Sequence, residues 1–256
     1  MRYISCCFKF DCYKKTFNET LYLSSMNFPS PLNELLHLFF PHVCTGCGSD
    51  VLDKDHQLCL RCIYNLPVTR FFSQPGNPVE NKFIGRLPIK NAAAGYFFTK
   101  NSLLERLIYA LKYRGNKDIG FYMGQLVGRM IHENPHYDDV DVLLPLPLNI
   151  KRQKKRGYNQ STAICDGIAS VINKPVIENA VIRKVYTQTQ TRKGRISRWE
   201  NMDGVFAVSN PAPIENKHVL LVDDVVTTGA SLEACGSEMI GVNGITLSMA
   251  TLAYTI

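Results

Sequence analysis

His218-Val-Leu-Leu-Val-Asp-Asp-Val-Val-Thr-Thr-Gly-Ala-Ser231 is the most informative segment of this 256-residue chain. Val219 to Val222 form a continuous apolar run, the pattern of a strand buried on both faces of a parallel sheet. Asp223 and Asp224 are expected to end that strand, residues 225–229 to turn the chain, and Ala230 to begin a helix. Such an order sets backbone N–H groups at a helix N-terminus, where they can receive a phosphate. Gly229 leaves room for close approach, and the hydroxyls of Thr227, Thr228 and Ser231 can add hydrogen bonds. Two carboxylates would repel the phosphate itself. They suit the sugar hydroxyls of the same ligand, or a magnesium shell. The implied ligand is a sugar phosphate with free vicinal hydroxyls. An isolated acid pair or Thr-Gly turn would carry no such meaning, but the whole string does. Neither GxxxxGK[ST] nor GxGxxG occurs.

Working outward, residues 92–98 and 140–144 read as strands. Leu103, Leu104, Leu107, Ile108 and Leu111 have helical spacing within 102–113, and further helices are expected at 119–132, 161–172 and 230–240. Residues 176–184, 205–208 and 245–254 are strand-like. Strands alternating with helices predict an α/β fold, a parallel sheet with helices on both faces. Residues 67–90, rich in Pro, Asn and Gly, read as a linker leading to the main domain at 91–256. Residues 1–25 lack periodicity and read as an extension, disordered or translated from upstream of Met26. Removal of 1–25 is expected to leave folding and ligand binding intact.

Hydrophobic residues at 45% and charged residues at 20% are ordinary globular values and exclude wholesale disorder. The net charge of +7 favours anionic partners without choosing among them. No apolar run reaches the ~20 residues of a spanning helix, and the N-terminus lacks a secretory h-region, so a cytoplasmic protein is expected.

Of nine cysteines, Cys6, Cys7 and Cys12 crowd the N-terminus, and Cys165 and Cys235 stand alone in helix-like segments. The other four form Cys44-Thr-Gly-Cys47 and Cys59-Leu-Arg-Cys62, with 11 residues between the pairs. Two residues between thiolates let one tight turn present both sulfurs to one ion. Two such knuckles complete a tetrahedral, closed zinc site, which stabilises and does not catalyse. A redox CxxC is the rival, against which the doubling at this spacing argues. Residues 26–66 are therefore expected to be a helix and a zinc module.

Two basic stretches remain. Lys151, Arg152, Lys154, Lys155 and Arg156 follow the 140–144 strand as an expected loop at the carboxyl edge of the sheet, where open α/β folds bind ligands. Fixed cations there would grip an anion, whereas a solvated charge run is the bland alternative. Arg192, Arg195 and Arg198 recur at spacing three before the sole tryptophan, Trp199. That segment reads as a catalytic lid, a single-stranded nucleic-acid contact or a solvated loop.

The 218–231 string resembles the phosphoribosyl-pyrophosphate (PRPP) motif of type I phosphoribosyltransferases. The resemblance implies that Asp223 and Asp224 hold ribose hydroxyls and that Val226, Thr227, Thr228, Gly229, Ala230 and Ser231 wrap the 5′-phosphate. The wider set is similar to the ComF/GntX family linked to competence and DNA uptake. It comprises the four-cysteine module, Leu111-Lys-Tyr-Arg-Gly115, Pro145-Leu-Pro-Leu148, Arg156-Gly-Tyr-Asn-Gln160 and the Thr187/Gln190/Arg198/Asn201 pattern. Lys193 departs from it, standing where an apolar residue is expected. The resemblance implies structural zinc, magnesium with PRPP, and catalytic roles for Asp223, Asp224, Lys151 and Arg152. Lys112, Arg156, Arg192, Arg195 and Arg198 are then the contacts to pyrophosphate or another anion. Two function classes stay open. One is a phosphoribosyltransferase with an unknown acceptor. The other is a non-catalytic PRPP or nucleotide sensor, or an adaptor handling single-stranded DNA with a DNA-uptake partner protein.

Overall fold

The computed structural model describes residues 43–50, 56–184 and 204–256. The expected 1–25 extension, the helix-like 32–40 segment of the 26–66 module and Arg192, Arg195, Arg198 and Trp199 lie outside the described residues. Within 43–256 the order is α1 (Leu60–Tyr64), β1 (Ala92–Phe98), α2 (Leu103–Tyr113), α3 (Lys117–His132), β2 (Val142–Pro145), α4 (Ile150–Arg156) and α5 (Gln160–Ile172). There follow β3 (Val181–Arg183), β4 (Phe206–Val208), β5 (His218–Val226), α6 (Ala230–Met239) and β6 (Thr246–Thr255). A four-stranded sheet has the order β1-β6-β5-β2, all parallel, and β3 and β4 pair antiparallel. The expected parallel α/β sheet is thus present. Three helix starts have a local cause: Ser102, Asn116 and Asn159 cap α2, α3 and α5 with side-chain oxygens on backbone N–H groups.

Three expectations are corrected. The strand does not end at the acid pair. β5 runs on to Val226 because β6 pairs with it as far as Val226↔Tyr254. The basic run at 150–156 is a helix, not a loop, begun by Asn149, whose side chain accepts from Lys151 N, and ended by Gly157 at φ +81°. Residues 67–90 are not a linker. Phe71, Phe72, Val79, Phe83 and Leu87 are buried in the core, and 67–69 runs antiparallel along β1 through Thr69 N to Gly95 O and Phe97 N to Pro67 O. Of the strand-like 176–184, only Val181–Arg183 is a full strand, with Val176 bridging singly to Leu143.

α3 and α5 pack with their backbones nearly touching. A Cβ on Gly167 would lie 2.0 Å from Phe121 O, and one on Gly124 would lie 2.3 Å from Ile164 O. Both obstacles are backbone, so no rotamer relieves them. Gly167→Ala must push the helices apart and is expected to destabilise the chain by about 3 kcal/mol in urea denaturation. An unchanged midpoint would show that this contact is dispensable.

At the amino edge, His218 Nε2 lies 2.8 Å from Ser248 Oγ, and its Nδ1 lies 3.1 Å from Asp139 Oδ1. The order is that of a hydrolase triad, but Ser248 is fully buried and no substrate reaches it. The cluster ties the starts of β5 and β6 together. Among the described residues no helix is long and apolar enough to cross a membrane.

Candidate functional site

The carboxyl ends of the strands gather the candidate ligand-binding residues. Because consecutive strand residues point to opposite sides, Asp223 and Asp224 meet different neighbours. Asp223 Oδ1 accepts from Ser161 Oγ at 3.1 Å and from Asp224 N at 2.8 Å. Asp224 is buried, and both its oxygens lie 2.9 Å from Lys112 Nζ. Burial, then the charge of Asp224, push the Asp223 carboxyl up to about 7, with Asp224 N, Lys112 and Ser161 opposing.

A carboxyl raised in this way holds a proton that the unfolded chain has released between about pH 4 and pH 7. Stability therefore falls as pH rises through that range. Asp223→Asn removes the penalty. The apo variant is expected to be more stable than the parent at pH 8, on the order of 1–3 kcal/mol, and equal to it at pH 4. Thermal melts at both pH values test this, and a variant less stable at pH 8 would refute it.

Beyond the acids, Thr227 and Thr228 are exposed, and Gly229, at φ +82°, leads into α6. Asp223 and Val225 to Leu232 line a concavity of about 70 Å³. Expected phosphate-loop residues Val226, Thr227, Thr228, Gly229, Ala230 and Ser231 are therefore contiguous around one hollow. One neighbour is unexpected: a Cβ on Gly229 would meet the buried Phe83 ring at 3.0 Å.

The basic helix α4 follows β2 directly. Lys151, Arg152, Lys154 and Lys155 are exposed. Arg156 is held instead: its Nη1 donates to Gln160 Oε1 at 2.6 Å, and its guanidinium lies 5.4 Å from the Tyr113 ring centre. Burial and the nearby charge of Arg152 depress the Arg183 guanidinium, while Asp223 opposes them. Arg183 is thus within electrostatic reach of both Arg152 and Asp223. Lys112 does not stand free for an anion, because Asp224 engages it.

The two short motifs prove to interlock. Tyr158 donates to Leu111 O, Asn159 Nδ2 donates to Leu146 O at 3.0 Å, and Tyr113 sits under Arg156. Residues 111–115 and 156–160 therefore position Lys112 and Ser161 on the acid pair. Ser161, Gln160, Arg183 and Phe83 were not legible as site residues. Gln160 closes, and Ser161 directly follows, the 156–160 motif that sequence had marked, and the others carry no local signal.

The four cysteine sulfurs lie within 4.8 Å of one another, with Cys47 and Cys59 at 3.7 Å. A tetrahedron with metal–sulfur bonds of ~2.3 Å has edges near ~3.8 Å, so the set fits one zinc ion. Burial would raise the Cys44 thiol, but backbone N–H groups of Cys59, Cys47 and Gly46 overcome it and lower it to about 6. Cys62 is pushed up by burial and by the other three sulfurs. A bound cation would let four such thiolates coexist. Gly46 fits because any Cβ would strike Leu103 at 2.7 Å and Cys62 Sγ at 2.9 Å, so the knuckle rests against the start of α2. Among the described residues this is the one cluster of three or more metal-ligating side chains. Magnesium, which usually keeps waters and phosphate oxygens and takes one or two carboxylates, would find its carboxylate in Asp223.

A parallel sheet with an acid pair and a hydroxyl-lined turn at its carboxyl edge, joined to a four-cysteine module, is the arrangement expected of a phosphoribosyltransferase-like α/β protein. No protein-family model matches the chain. The chain is 34% identical to competence protein F of Haemophilus influenzae over 196 residues, covering 75% of this chain and 76% of that protein. It therefore belongs to the competence protein F (ComF) family. It is 26% identical to the DNA utilization protein YhgH of Shigella flexneri, over 60% of this chain and 68% of that one. It is 24% identical to competence protein ComFC of Bacillus subtilis, over 53% and 52% of the two chains. Among solved structures, glutamine PRPP amidotransferase from B. subtilis overlaps 55% of this chain and 30% of its own, at 15% identity and a TM-score of 0.37.

Proposed function

We propose that the chain binds PRPP with magnesium at residues 223–231. The observation that carries this reading is the hollow formed by Val226 to Ser231 at the carboxyl end of β5, with Gly229 in a conformation that favours glycine. The 5′-phosphate takes the loop N–H groups and the Thr227, Thr228 and Ser231 hydroxyls. Asp223 and Asp224 take the ribose hydroxyls, and Lys112 holds the Asp224 carboxylate in place for that purpose. Pyrophosphate lies toward Lys151 and Arg152, with Arg183 beside them. Magnesium, when bound, offsets charge on the pyrophosphate oxygens. In the transferase form of the reading, an acceptor lone pair bonds to C1 of the ribose as the bond from C1 to the pyrophosphate oxygen breaks. The chain contributes position and fixed cations. Calorimetric titration with PRPP–magnesium tests binding, and pyrophosphate release in the presence of nucleobases and amines tests transfer. No heat with PRPP–magnesium would remove the reading.

A second reading, contact with single-stranded DNA, has its own support. Tyr109 and Tyr113 are about half exposed, with ring centres 5.0 Å apart, and Arg114 and Arg156 lie over them. Beside them stand the cations of α4. Exposed rings with flanking cations suit stacked bases and a phosphate backbone, and the relatives are named for competence and DNA utilization. Affinity for an oligonucleotide would then fall steeply with salt. Salt-insensitive binding, or unchanged affinity after charge reversal at 151–156, would exclude the contact.

A further inference from the structure

The residues lining the phosphate hollow, Asp223 and Val225 to Leu232, include no cation. A phosphate dianion there would rest on backbone dipoles and hydroxyls alone, with two carboxylates next to it. The 67–90 segment changes that balance. Its Asn77 Oδ1 accepts from Val79 N, and its Glu80 accepts from Gly76 N and Ala92 N, so the 3₁₀ turn at Glu80–Lys82 is fixed to the start of β1. Arg86 pairs with Glu233 in the first turn of α6, with Nε to Oε1 at 3.0 Å. Between these anchors, Phe83 packs on Gly229, and Lys82 Cβ lies 3.8 Å from the position of a Cβ on Gly229. The Lys82 ammonium lies 4.9 Å from the centre of the Tyr254 ring, and Tyr254 is the register partner of Val226, where the loop begins.

Arg86, Lys90 and Lys112 have carboxylate partners, whereas Lys82 has an aromatic ring instead. A cation–π contact is weak enough to be exchanged for a phosphate, and the four-carbon lysine stem gives the reach. We propose that Lys82 is the cation for the phosphate held by the 226–231 loop, parked on Tyr254 until the ligand arrives. The proposal rests on the phosphate reading of that loop and adds the residue that balances its charge.

The test titrates the zinc-loaded full chain with ribose 5-phosphate and, separately, with magnesium pyrophosphate, using the parent, Lys82→Met and Lys82→Arg. Melting curves serve as the folding control. Lys82→Met is expected to weaken ribose 5-phosphate roughly ten- to thirtyfold, the effect of one charge-assisted contact. Magnesium pyrophosphate should be unaffected, and Lys82→Arg should recover most of the loss. A purely structural role for Lys82 would move both ligands together and lower the melting temperature. Unchanged ribose 5-phosphate affinity in folded Lys82→Met overturns the proposal and leaves the loop reading intact. Failure of the parent to bind ribose 5-phosphate overturns both.

Discussion

Exchange of Cys62 for serine is expected to empty the zinc site and to lower the melting temperature by more than about 10 °C. A structural zinc ion contributes an apparent ~10–16 kcal/mol of binding that becomes folding free energy, and a missing thiolate forfeits much of it. Cys62 is a severe case. Its sulfur is buried, lies against Gly46, and belongs to the module that seats on Leu103 at the head of α2. Serine leaves a buried oxygen facing three thiols. Elemental analysis should find one zinc per chain in the parent and none in the variant. Chelator sensitivity should grow as pH falls, because protons compete with the metal for the sulfurs. None of the four cysteines lines the hollow at 223–232, so ribose 5-phosphate affinity at a temperature where the variant is folded should stay within twofold. Equal melting temperatures with zinc absent from both proteins would refute a structural metal.

Gly229→Val is expected to weaken ribose 5-phosphate binding more than a hundredfold. At φ +82° a side chain is strained by roughly 1–2 kcal/mol, and β-branching adds to that. Its Cβ would also press on the Phe83 ring at 3.0 and 3.1 Å. The ring belongs to the buried core, so the loop yields first, and its N–H groups leave the phosphate. Gly229→Ala, with the same backbone strain and less bulk, should fall between parent and valine variant. Strain of this size lies within the usual folding stability of ~5–15 kcal/mol, so circular dichroism should remain that of the parent. A folded valine variant that binds as tightly as the parent would place the phosphate elsewhere.

Residues 218–222 were legible as a strand because a parallel strand covered on both faces has no alternation to interpret. The continuation to Val226 was not, because the two aspartates read as a strand end and masked the strand preference of Val225 and Val226. Pairing with β6 decides it. At 150–156 the signals were present, an Asn149 cap and a Gly157 stop, but five cations obscured them. Val79, Phe83 and Leu87 stand four apart, but the Pro75-Gly76-Asn77-Pro78 run, Gly85 and Pro88 around them speak against a helix, so the local reading of 67–90 as a linker hid these core residues. The cysteine spacing and the acid–acid–loop–helix order were determined by the chain alone, since each depends on residues a few positions apart. The engagement of Lys112 by Asp224, 112 positions away, and the arrival of Phe83 and Lys82 beside Gly229 were decided only by the tertiary structure. Such contacts arise when the sheet brings strand ends together, and no period or propensity in a linear sequence encodes which distant side chain will meet them.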